Sequence, residues 1–150
     1  MPNNINAHNI ALALRATYYA MHRNAYSTLA PFDVTTDQFV LLSLLTHPAD
    51  KDGITQQELV RRAASDPNTV RAMLVLLEKR GLVKRRSHRT DGRARSVALT
   101  PAGRKAYDQL WKETNVFRNR INAALSPADA EKLMDYLQFI TEAMAPEVAD

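Results

Sequence analysis

Cysteine is absent from the 150 residues. That excludes disulfide frameworks, thiolate zinc sites, iron–sulfur clusters, cysteine nucleophiles and thiol redox switches. Glycine is scarce, at four residues. No Gly-rich phosphate loop, Gly-x-Ser-x-Gly or His-x-x-x-His is present, and His8, His22, His47 and His88 stand far apart. These are the usual short signatures of nucleotide, hydrolase and zinc chemistry. No enzyme, no metal site and no cofactor are therefore expected. No apolar run comes near the roughly 20 residues of a membrane-spanning helix. The first 30 residues do not order a basic start, an apolar core and a small-residue cleavage site, so no export signal is expected. The expected location is the cytoplasm, with no membrane partner. Hydrophobic residues make up 45% and charged residues 24%, and mean hydropathy is −0.34. These values suit a folded chain, and the length suits a single domain, residues 1–150.

What the chain does have is a concentration of positive charge. Between Arg61 and Lys105 there are thirteen Lys/Arg and three Asp/Glu, a net +10, whereas the remainder carries seven basic and thirteen acidic residues, a net −6. A nearly single-signed block inside an otherwise acidic chain is the footprint of a polyanion partner. Ten of the thirteen cations are arginine, whose planar fork suits phosphates and base edges. The plainer alternative is a solvated charged face, although that usually mixes signs.

Hydrophobic periodicity predicts a long first helix, about Asn6 to Ser27, and a second from Thr35, opened by the capping-box pattern Thr35-x-x-Gln38. The second is apolar nearly all round, which predicts burial on several sides, and Pro48 closes it. A second capping-box pattern, Thr55-x-x-Glu58, opens a short helix to Ala63. Ser65-Asp66-Pro67 opens another that runs to Arg80 and stops at Gly81. Two short strands follow, residues 82–86 and 95–99, joined by a polar, basic tip with Asp91-Gly92 inside it. Thr100-Pro101 caps a long helix to about Ala124. Ser126-Pro127 caps the last helix, where Ala130, Leu133, Leu137, Ile140 and Met144 step as a heptad-like seam. That seam packs either on its own chain or, as the length of the flanking helices favours, on a second copy.

This order is a winged helix-turn-helix: a mainly α fold with a small β-hairpin wing. The lobe spans about 34–100, flanked by long dimerisation helices at about 5–28 and 101–145. A helix of this kind enters the major groove, where residues at its N-terminal end reach base edges. Asn68, Thr69 and Arg71 are hydrogen-bonding types at that end, and for Arg71 a phosphate clamp is an equal alternative. The wing carries Lys84, Arg85 and Arg86 on one arm and Arg95 on the other, and its tip offers Arg89 and Arg93, placed for a narrow minor groove. Double-stranded DNA is the expected partner.

Several motifs in register resemble the MarR family of bacterial transcriptional regulators. Residues 35–42 (TTDQFVLL) are similar to the family's second helix, and residues 76–83 (LLEKRGLV) to the end of its recognition helix. Asp91-Gly92-Arg93, followed by residues 97–104 (VALTPAGR), resembles its wing signature. The resemblance implies a homodimer, two lobes on a pseudo-palindromic operator, and repression. It implies that Arg93 enters the minor groove and that Asp91 orients it. It also implies release from DNA by a small aromatic or phenolic effector, for which Tyr18, His22, Tyr26 and Trp111 are the candidate contacts. At helical spacing such an aromatic stripe also reads as core or dimer interface. The family's cysteine-based peroxide sensing is excluded. The alternatives are a metal-responsive winged-helix repressor, for which no ligand spacing is present, and a non-specific architectural DNA-binding protein.

Overall fold

The computed structural model describes residues 5–87 and 95–146. The chain forms two compact units that divide after Thr114.

The first unit opens with α1, Ala7–Leu29, whose Asn6 side chain accepts from the Asn9 N–H at 2.9 Å. A 3-10 turn over Ala30–Phe32 ends at Asp33, a non-glycine residue at φ 54°. The helix α2, Thr36–Leu44, begins with both halves of the capping box: Thr35 Oγ1 accepts from the Gln38 N–H, and Gln38 Oε1 from the Thr35 N–H, each at 3.1 Å. Gln38, Leu41, Leu42 and Leu45 of this segment are buried. Val40 lies exposed, so the burial expected on several sides stops short of it. The helix also ends before Pro48, which instead opens a second 3-10 turn.

The short strand β1, Ile54–Thr55, leads directly into α3, Gln56–Ala63. Thr55 caps α3 by accepting from the Glu58 N–H, but the reciprocal half of this box is not made. The Glu58 carboxylate is occupied by Arg61 and Arg62. The helix α4, Pro67–Lys79, starts at Asp66, whose carboxylate accepts from the Thr69 N–H at 2.9 Å. It ends in a Schellman pattern: Gly81 N–H donates to the Glu78 carbonyl and Leu82 N–H to the Leu77 carbonyl. Gly81 sits at φ 71°, the left-handed position that favours glycine.

Strands β2, Val83–Ser87, and β3, Arg95–Leu99, pair antiparallel in the register Val83↔Leu99, Arg85↔Val97. The wing therefore holds three strands rather than the expected two, because β1 adds to the far side of β3 through Ile54↔Val97. The helix α5, Pro101–Glu113, is capped by Thr100, whose hydroxyl accepts from the Gly103 N–H and donates to the Gly81 carbonyl. A Cβ at position 103 would collide with the Leu82 carbonyl oxygen, so glycine lets α5 seat closely on the loop after α4. Leu29, Leu42, Leu59, Val70, Leu74, Leu77 and Val97 form the centre of the core, each fully buried.

The long helix expected from Pro101 to Ala124 is interrupted. Thr114 Oγ1 bonds back to the Leu110 and Trp111 carbonyls, and α5 stops there. The second unit holds α6, Asn115–Ala124, and α7, Pro127–Ala143, the latter capped by Ser126. None of the described residues in these two helices is buried. Among the described residues no helix is long and apolar enough to cross a membrane.

Candidate nucleic-acid interface

The first turn of α4 is held at its start. Asp66 takes the Thr69 N–H and lies 3.4 Å from its hydroxyl, and Pro67 fixes the first helical position. One face of the helix carries Val70, Leu74 and Leu77 into the core, which turns the opposite side outward. Asn68, Thr69 and Arg71 are all exposed there. A capped helix N-terminus with outward amide, hydroxyl and guanidinium groups is suited to polyanion contact.

The β2 strand contributes by alternation. Val83 is buried and Arg85 half-buried on one face, whereas Lys84 and Arg86 are exposed on the other. Arg89, Asp91 and Arg93, the expected wing-tip residues, lie outside the described residues. Asn68, Thr69 and Arg71 thus share one surface of α4, and Lys84 and Arg86 share one face of β2.

The net charge of the block overstates what faces outward. Arg62 pairs with Asp50 at 2.6 Å and with Glu58 at 2.8 Å, and Arg61 pairs with Glu58 at 2.7 Å. The hydrogen bonds from Arg61 and then Arg62 pull the Glu58 carboxyl down to about 2. Arg80 donates to the Asp33 carbonyl at 2.6 Å, and Arg104 to the Thr46 carbonyl at 3.2 Å. Arg85 is bound by Glu78 through Nη2 at 3.0 Å and Nε at 3.3 Å. Four of these arginines, Arg62, Arg80, Arg85 and Arg104, therefore tie elements of the lobe together, and Arg61 pairs within α3. This division of labour is invisible in a charge count. For Arg85 alone the period-2 alternation of its strand gave a signal.

A groove of about 580 Å³ opens among Gln56, Arg71, Val75 and Arg85. Gln56 Oε1 is buried there without a hydrogen-bond partner. The sequence placed Arg71 on this surface but not Val75, one turn further along α4, nor Gln56, which reaches it because α3 packs beside α4.

On α1 the Tyr18 and His22 rings stack at 5.8 Å and Tyr18 meets Tyr19 edge-on at 5.4 Å. The Arg15 guanidinium lies 4.8 Å from the Tyr19 ring centre. A shallow cavity of about 510 Å³ is lined by Arg15, Ala16, Tyr19 and Arg23. Tyr26 is exposed two turns after Tyr18. Trp111 belongs to a different series, Phe39–Tyr107–Trp111, with successive ring centres 5.8 and 5.9 Å apart.

The sequence model of the MarR family matches residues 32–94. The transcriptional regulator HosA of Escherichia coli is 40% identical over 73 residues, 49% of this chain and 52% of that protein. The regulator TtmR of Methylorubrum extorquens is 32% identical over 95 residues, 63% of this chain and 47% of that protein. The chain spans about half the length of the curated relatives it matches. The fold is similar to that of S. aureus MepR, solved in a DNA-binding conformation, with a TM-score of 0.81 at 24% identity over 90% of this chain and 98% of that one. Through residues 32–94, matched by the family model, the chain resembles the MarR family.

Proposed function

We propose that the protein is a sequence-specific DNA-binding transcriptional regulator, acting as a homodimeric repressor on a pseudo-palindromic operator. The observation that carries this reading is the capped start of α4, with Asn68, Thr69 and Arg71 turned outward while Val70, Leu74 and Leu77 anchor the helix in the core. Lys84 and Arg86 add phosphate contacts from the wing, and Arg93 and Asp91 take the minor-groove role that the family resemblance implies. Two lobes related by a two-fold address half-sites one helical turn apart, roughly 10 bp. The relatives named as regulators support the class, and a neighbour of the same fold is MepR of S. aureus in complex with DNA.

A small aromatic anion is the proposed effector. The Tyr18–His22 stack, Tyr26 and Trp111 are its candidate contacts, with the cations Arg15 and Arg23 beside the shallow cavity on α1. It releases DNA by binding the non-operator arrangement more tightly, which needs a coupling of about 1–3 kcal/mol.

The test is binding to operator fragments selected from a random duplex pool. The wild-type protein is expected to enrich a two-fold-related sequence. Arg71→Ala is expected to cost about 1–3 kcal/mol on that sequence and to relax preference at one base pair in each half-site. A pool that returns no preferred sequence would remove the sequence-specific reading. An even loss over all variants would make Arg71 a phosphate clamp.

A further inference from the structure

The Glu78–Arg85 ion pair joins the last full turn of α4 to the middle of β2. Both guanidinium contacts go to one carboxylate, at 3.0 and 3.3 Å, and the Arg85 side chain is only 15% exposed. A two-point contact of this kind fixes direction as well as distance. Arg85 stands opposite Val97 on the inward face of β2, so holding it also sets how Lys84 and Arg86 are turned. Arg85 lines the groove that Arg71 borders, which places one of its faces beside the base-reading side of α4.

From this geometry we propose that Glu78 is a specificity-determining positioning residue. It holds the wing at a fixed angle to the recognition helix and withholds the Arg85 cation from DNA phosphates. This rests on the DNA-binding reading above. Without Glu78 two things change together. The wing loses its fixed angle, so a cognate site no longer satisfies helix and wing at once. The Arg85 guanidinium also becomes an unspent cation beside the groove, available to any phosphate regardless of sequence. The first change lowers specific affinity and the second raises non-specific affinity. Glu78 therefore acts on the ratio of the two more than on either one.

The experiment measures binding of the full chain to a selected operator and to a scrambled duplex, across a salt series, for wild type, Glu78→Gln, Arg85→Gln and the swapped double variant Glu78→Arg/Arg85→Glu. Thermal melting is followed in parallel. Glu78→Gln is expected to lower the specific-to-scrambled ratio about tenfold, within the range of coupling between contacting charged groups. Its salt slope on scrambled DNA should steepen by about one, for one added phosphate contact. Arg85→Gln should lower operator affinity while leaving the scrambled slope unchanged, since no cation is released. The swapped pair should regain part of the lost ratio. A Glu78→Gln ratio equal to wild type, with operator binding intact, overturns the proposal. So does a ratio that falls only in proportion to lost melting temperature and is not regained by the swap. Wild-type protein that fails to prefer the operator at all would instead count against the DNA-binding reading on which the proposal stands.

Discussion

Arg86 and Lys84 occupy the outward face of β2, whereas their neighbour Arg85 is spent on Glu78. The three consecutive cations therefore have unequal effects. Lys84→Gln and Arg86→Gln should each weaken DNA binding evenly across sequences and flatten the salt dependence by about one, as expected for a lost phosphate contact. Titrations at several salt concentrations read this directly. A different residue contributes to the pH dependence of stability. The Glu58 carboxyl is held near 2 by Arg61 and Arg62, below its ordinary 4.5. A depressed folded-state value means that the stabilising contribution is complete above about 4.5 and disappears as the pH falls toward 2. Wild type should thus exceed Glu58→Gln in urea stability at neutral pH, and the gap should close between pH 5 and 2. A gap that widened on acidification would contradict the assignment. No local pattern announced the Arg80–Asp33 or Arg104–Thr46 contacts, which join positions 47 and 58 residues apart. Side-chain pairing over such distances is set by the packed fold, and composition reports only the sum of charges.

Elements were more readable than residues, because their start and stop signals are local. Thr35, Asp66, Thr100 and Ser126 each cap the helix that the sequence predicts for them. Two features escaped. The β1 strand is only two residues long, and it exists because β3, some forty positions later, supplies its ladder. The stop after Glu113 uses neither glycine nor proline. A threonine hydroxyl competing for helix carbonyls ends the helix, a signal indistinguishable in sequence from a surface threonine. At this scale the two glycines near α5 make an ordered prediction. Gly81→Ala forces a left-handed alanine at a cost of roughly 1–2 kcal/mol. Gly103→Ala drives a methyl group into the Leu82 carbonyl and requires α5 to move, so its cost should reach or pass the upper end of the 1–3 kcal/mol usual for overpacking, about 3 kcal/mol. Urea midpoints of the two variants give the order.

For the whole molecule the exposed apolar residues set the expectation. The α1 segment leaves Ile10, Leu12, Tyr18 and Met21 uncovered, and α7 leaves Leu133, Met134, Phe139 and Met144 uncovered. On the proposed homodimer these surfaces supply the isologous contact. The unmodified chain should sediment as a dimer at micromolar concentration. Leu133→Lys together with Phe139→Lys should yield monomers whose lobe still melts cooperatively, because neither residue belongs to the lobe core. Dimers persisting in that variant would place the contact elsewhere. Sedimentation of both proteins decides it.

The sheet order β1-β3-β2 leaves β2 on an outer edge of the wing. An edge strand presents unpaired backbone groups to any passing chain, and charged side chains are a common guard against that. Lys84 and Arg86 stand there. Their charge thus has a second consequence, for solubility. A variant in which both become valine would lose the phosphate contacts proposed for them and at the same time acquire an apolar, strand-forming edge. Such a protein is expected to associate strand to strand with its own copies at concentrations where the paired glutamine variant stays dispersed.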